Sequence, residues 1–128
     1  MRNVTTVTRI LIVDDDPAIR NACRHILNRA GYVTQEVEDG LAALELVQAG
    51  DPPFRLVVTD VVMPRMGGVA LLDALSLSHP LLPVLLMSGY SLEELRARGI
   101  DAPCSVLTKP FTAEALLAEV EFCLHKVA

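Results

Sequence analysis

Five short apolar runs alternate with segments of helical period along this chain, and that order restricts the fold more than any single motif does. Ile10 to Val13, Leu56 to Val58 and Pro83 to Met87 are apolar at nearly every position. Such runs suit central parallel strands covered by helices on both faces, where no side of the strand meets water. Tyr32 to Val37 mixes Val33 and Val37 with Thr34 and Gln35, as an edge strand tolerates. Ser105 to Thr108 is the fifth and weakest run.

The intervening segments carry helix signals. Asp16 can cap a helix that begins at Pro17, buries Ile19, Cys23, Ile26, Leu27 and Ala30, and stops at Gly31. Asp39 can cap a second, with Ala43, Leu44 and Val47 inward, before Gly50, Asp51, Pro52 and Pro53 end it. Met63 to Gly68 reads as a loop into a helix bearing Leu71, Leu72 and Leu75. Ser91 with Glu94 three residues later has the form of a capping box, opening a short helix from Leu92 to about Arg98. Thr112 can cap the last helix, whose stripe is Leu116, Leu117, Val120 and Leu124.

Strict alternation of this kind predicts an α/β fold with a parallel sheet and right-handed crossovers. In open parallel sheets, ligands bind outside the carboxyl ends of the strands. The residues at those ends are Asp14, Asp15 and Asp16, then Asp60, then Ser88 and Gly89, then Lys109. Acids, a hydroxyl and an amine are thus aimed at one edge.

The 128 residues are enough for one domain, and with 52% of them apolar the chain can bury a core. No stretch approaches the ~18 uninterrupted apolar residues of a membrane span. Residues 1–8 form a polar N-terminal extension without the apolar block of a secretory leader, so the expected compartment is the cytoplasm, with no membrane insertion. The formal charge of −5 argues against direct nucleic-acid binding, which calls for a basic face. Cys23, Cys104 and Cys123 are odd in number and widely spaced, and are expected as free thiols. His25, His79 and His125 stand apart from any close cysteine pair, which excludes the usual zinc patterns.

Asp14, Asp15 and Asp60 in one pocket would repel one another unless a cation joined them. A few hard oxygen ligands suit Mg2+, for which Mn2+ can substitute. A carboxylate can attack phosphorus to give an acyl phosphate. Phosphoryl transfer asks mainly for alignment and for charge at the equatorial oxygens. The Lys109 ammonium, the Ser88 hydroxyl and backbone N–H groups near Gly89 can supply that charge.

The segments Ile10 to Pro17 (ILIVDDDP), Thr59 to Pro64 (TDVVMP) with Gly67 and Gly68, Met87 to Tyr90 (MSGY) and Thr108 to Phe111 (TKPF) together resemble the receiver domains of two-component signalling. The resemblance runs from Arg9 to about Leu124, with residues 9–128 taken as the domain. It implies a flavodoxin-like three-layer sandwich with five helices and strand order 2-1-3-4-5. It implies further that Asp60 is the phosphoacceptor, that Asp15, Asp60 and the Val62 backbone carbonyl hold Mg2+, and that Asp14 contributes directly or through water. Ser88 and Lys109 then bind the phosphoryl group, and the Lys109–Pro110 bond is expected to be cis.

Two departures from the family pattern stand out. Many receivers have an aromatic residue three positions before the lysine, which swings inward on phosphorylation; here the position is Val106, so that route of output coupling is in doubt and Tyr90 or Phe111 is the alternative. Val62 and Tyr90 flank the path of an attacking water and offer neither acid nor amide to orient it, which predicts a long-lived phosphoryl group.

The implied donor is a histidine kinase or a histidine phosphotransfer protein; the downstream protein partner is not specified, and a phosphorylation-dependent homodimer is compatible with the family. The chain is expected to phosphorylate itself without turning over other substrates, as a stand-alone regulator, a relay shuttle or the receiver of a hybrid histidine kinase. One alternative is a docking module that works without phosphorylation, kept open by Val106. The other is an aspartate-nucleophile phosphatase, disfavoured because Val62 stands where its second acid would be.

Overall fold

The computed structural model describes residues 7–50, 53–100 and 103–126. Asp51 and Pro52, expected to help end the second helix, and most of the 1–8 extension lie outside the described residues.

The elements run β1 (Arg9–Val13), α1 (Pro17–Arg29), β2 (Val33–Val37), α2 (Gly40–Ala49), β3 (Leu56–Asp60), α3 (Gly68–Ser78), β4 (Val84–Ser88), α4 (Leu92–Ala97), β5 (Ser105–Thr108) and α5 (Ala113–Lys126). All strand pairs are parallel, in the order β2-β1-β3-β4-β5. The fold is the flavodoxin-like sandwich. Chain reversal between β2 and β3 places β1 and β3 side by side, with Val13 opposite Thr59. Asp14 and Asp60 therefore leave the sheet as neighbours.

The two-residue period of the strands divides the core into two layers. Ile10, Ile12, Leu56, Val58, Leu85 and Met87 face α1 and α5 and meet Cys23, Leu27, Leu116 and Val120. Leu11, Val13, Val57 and Leu86 face the other way, onto Ala43, Val47, Leu71, Leu75 and Leu95. Each fully buried Leu, Ile or Val contributes roughly 1.5–3 kcal/mol from removal of apolar surface from water. Position on the pleat, more than choice of residue, decides which helix a strand side chain meets.

The expected caps form. Asp16 accepts the Ala18 N–H, Asp39 the Ala42 N–H at 2.8 Å, and Thr112 the Ala115 N–H at 3.1 Å. Ser91 and Glu94 close a full capping box. Gly31, at φ +98°, ends α1, and the Lys109–Pro110 bond is cis. Small differences concern edges: Tyr32 precedes β2 because its N–H turns back to the Leu27 carbonyl, and Ala30 is exposed beyond the last turn of α1.

The cysteines depart from expectation. Cys23 is a buried free thiol, whereas Cys104 and Cys123 are joined as a disulfide. Their separation in sequence hides that α5 packs over the start of β5, which brings the two Cα atoms within 5.8 Å, inside the range a disulfide spans.

Candidate phosphoryl-transfer and metal site

Asp14 stands directly after β1 and is buried, Asp15 beside it is exposed, and Asp60 at the end of β3 is half-buried. Each offers a carboxylate oxygen, and these oxygens lie within 4.8 Å of one another. Lys109, carried in by β5, places its ammonium 3.0 Å from Asp60 Oδ1 and 3.3 Å from Asp14 Oδ2. One cation therefore bridges two of the three acids.

Local bonds fix the acids. Asp14 Oδ1 accepts the Asp16 N–H at 2.8 Å, and the Asp14 carbonyl accepts from the Arg20 guanidinium at 2.6 Å. Arg20 is itself paired with Glu36. Asp60 Oδ1 accepts the Val61 N–H at 3.0 Å in addition to Lys109. Among the described residues no such bond falls on Asp60 Oδ2.

Burial raises the pKa of Asp14, and the neighbouring Asp60 charge adds to the effect, against the Asp16 N–H and Lys109, which favour the ionised form. Burial alone would lower the pKa of Lys109, but its bond to Asp60 and the charges of Asp14 and Asp60 raise it, so the side chain stays an ammonium. Behind the site, burial first and the Asp14 charge second push the Cys23 thiol up to about 12. It is not a nucleophile at neutral pH.

Ser88 ends β4, buried, one register step beyond the Met87–Asp60 pair. Its hydroxyl accepts the Tyr90 N–H at 2.9 Å and its carbonyl accepts the Lys109 N–H at 2.7 Å. The Ser88 hydroxyl is thus at the correct edge but engaged with its own loop and not with Asp60 or Lys109. Gly89 is exposed in that loop. Val62 is 75% exposed, and Tyr90 is exposed with the Arg98 guanidinium stacked 4.3 Å from its ring centre. Val106 pairs with Leu86 and packs, partly buried, against the α2–α3 layer.

Sequence reasoning missed the support of the loop after Asp60. Arg65 adopts φ +65° and donates twice to Asp39 Oδ2, at 2.8 and 2.6 Å. The Gly40 N–H donates to the Met66 carbonyl at 2.8 Å. The cap of α2 therefore also anchors the loop that carries Val62. Gly68 is a close-approach position: a Cβ there would overlap the Asp60 carbonyl oxygen. Glycines at both helix starts were the available signal; the reach of Arg65 had none.

A cleft of about 420 Å3 lined by Phe54, Arg55, His79, Leu81 and Leu124 lies at the amino ends of the strands. It contains no acidic group and is remote from the cluster, so the chemistry belongs to the opposite edge.

The fold, the acidic cluster and the bridging lysine define a phosphoacceptor signalling module, and residues 10–121 match the response regulator receiver domain family. The chain belongs to that family. Its relatives include the response regulator MprA of Mycobacterium ulcerans (strain Agy99), 39% identical over 119 residues, and that of Mycobacterium leprae (strain TN), 40% identical over 119 residues, each covering 92% of this chain. The chain spans about half the length of these relatives. Among solved structures, the chemotaxis protein CheY4 of Vibrio cholerae superposes with a TM-score of 0.82 at 30% identity, covering 93% of this chain and 100% of the other. A CheY-like receiver domain of Methanospirillum hungatei JF-1 gives 0.84 at 27% identity, covering 95% and 97%.

Proposed function

We propose that Asp60 takes the phosphoryl group from a phosphohistidine of a histidine kinase or histidine phosphotransfer protein. The observation that carries this reading is the Lys109 ammonium held between Asp60 and Asp14, beside Asp15, at the carboxyl edge of the sheet. Asp60 Oδ1 is fixed by Lys109 and the Val61 N–H, which leaves Oδ2 to attack phosphorus. As that O–P bond forms, the P–N bond to the donor imidazole breaks and its electron pair stays with the imidazole. Lys109 then pairs with the transferred group, and the Ser88 hydroxyl and the N–H of Gly89 complete its hydrogen bonds.

The donor set fits a hard divalent cation: carboxylate oxygens of Asp14, Asp15 and Asp60 with the Val62 carbonyl nearby in sequence, and no nitrogen or sulfur ligand among them. Mg2+, or Mn2+ in its place, supplies positive charge at the transferring oxygens when bound. Burial, and after it the charge of Asp60, raises the pKa of Asp14; a bound cation would offset both.

Residues 9–128 form the receiver unit and residues 1–8 an extension to it. The unit serves a cytoplasmic phosphorelay, phosphorylates only itself, and reports by a changed protein-binding surface to a downstream protein or a second phosphorylated copy. Its acidity supports a role without direct nucleic-acid contact, and among the described residues no helix is long and apolar enough to cross a membrane.

Intact mass after incubation with Mg2+ and acetyl phosphate tests the reading. A single phosphate adduct is expected on the wild type and none on Asp60→Asn. Equal labelling of both chains, or none on either at any Mg2+ concentration, would overturn it.

A further inference from the structure

The joined Cys104 and Cys123 lie on the side of the molecule away from the acidic cluster, and nothing in phosphoryl transfer uses them. Cys104 precedes β5 and is partly exposed; its N–H continues the sheet ladder by donating to the Val84 carbonyl at 2.8 Å. Cys123 is buried on the inner face of α5. One helical turn earlier, Glu119 accepts from the hydroxyl of Ser105 at 2.5 Å. Cys104, just before β5, and Ser105, its first residue, are thus tied to two α5 residues four apart, one tie covalent and one a hydrogen bond. The link closes the segment that also carries Lys109.

We propose that Cys104 and Cys123 form a reversible redox-modification site whose oxidised state staples α5 to β5. In the cytoplasmic setting inferred above, on which this step rests, paired cysteines serve as transient sensing elements more often than as permanent braces. The oxidant is of the hydroperoxide class. The Cys104 sulfur, the exposed member, attacks one peroxide oxygen; the O–O bond breaks, one water or alcohol leaves, and Cys104 becomes a sulfenic acid. The Cys123 sulfur then displaces that oxygen as water and the S–S bond forms, so two thiols and one peroxide give one disulfide and two small hydroxyl products. Two equivalents of a small thiol reverse the change. The first attacks Cys104, the accessible sulfur, releasing Cys123 and leaving a mixed disulfide on Cys104; the second attacks that mixed disulfide, restoring the Cys104 thiol and leaving as the small-molecule disulfide. Cys23, buried with its thiol held protonated, stays outside the exchange.

Because the link closes a loop with a sequence separation of 19 residues, it restricts the unfolded chain, and the oxidised protein should melt about 10 °C above the reduced one. The experiment equilibrates the full chain in glutathione mixtures from fully reduced to fully oxidised, with a parallel hydrogen peroxide series. Alkylation under denaturing conditions and intact mass then count thiols. The expected result is a reversible change from three alkylatable thiols to one, with a midpoint inside the glutathione series, no covalent dimer, and a melting shift absent from Cys104→Ser. A pair that never forms, that forms between two chains, or that resists reduction while the chain is folded overturns the proposal. The mass readout on the wild type decides even if the variant folds poorly. Acetyl phosphate labelling in each redox state separates this question from the role of Asp60.

Discussion

At the scale of single residues, two buried aspartates respond oppositely to pH. Asp39 has its pKa lowered, chiefly by the Ala42 N–H and next by Arg65. A lowered carboxylate contributes stability that is complete above its unfolded value of about 3.9 and is lost as pH falls through the folded value. Asp39→Ala should therefore cost about 1 kcal/mol at pH 7, the usual loss for a helix cap. That difference from wild type should shrink as pH falls below the ordinary carboxylate range, as urea midpoints at a series of pH values will show. Asp14, raised by burial, has the reverse sign, so ionising it works against the metal-free fold. Val62 and Tyr90 bear on lifetime: one is an exposed aliphatic, the other is stacked under Arg98, and neither side chain is an acid or amide suited to orienting an attacking water. The aspartyl phosphate should outlast that of receivers with polar residues at both positions, with release of labelled phosphate as the measure; a half-life of seconds would refute this.

At the scale of elements, the loop between β3 and α3 depends on contacts that leave no room for substitution at Gly68. Gly68→Ala should cost about 1–3 kcal/mol, the range for overpacking, and should reduce Asp60 phosphorylation beyond the loss of stability, because the displaced atom is the Asp60 carbonyl. Denaturant midpoints and adduct yield on the folded fraction separate the two effects. Strands and helices were legible here because apolar period and caps are local: Asp16, Asp39, Ser91 and Thr112 each cap the helix they precede. The Asp39–Arg65 clamp and the Cys104–Cys123 link were not legible. Each joins residues from different elements whose proximity is set by packing, which a linear pattern does not encode.

At the scale of the molecule, the order of strands does most to build the site. Alternation alone pointed to the carboxyl edge, and the reversal between β2 and β3 is what puts Asp14 against Asp60. The placement of Asp14, Asp15, Asp60 and Lys109 followed from that rule. Ser88 reached the edge, but its hydroxyl accepts the Tyr90 N–H of its own loop, a side-chain choice the rule does not address. A cation that binds only the folded cluster must stabilise the whole chain. Mg2+ at about ten times its Kd should add about 1.4 kcal/mol and raise the melting temperature by about 5 °C. Chelation should remove the gain, and Asp14→Asn with Asp15→Asn should abolish it; scanning calorimetry with and without Mg2+ is the check.

The bridging position of Lys109 also fixes an electrical constraint on signalling. Three carboxylates and one ammonium leave the cluster two charges short of electroneutrality, and a single divalent ion closes that gap. Converting one carboxylate to an acyl phosphate, which like other phosphorylated side chains carries about −1.5 to −2, then changes the balance by no more than about one unit. A partner several Debye lengths across the domain would barely sense so small a difference. The message has to leave the cluster as a rearrangement of atoms, beginning with where the lysine and the serine hydroxyl turn next.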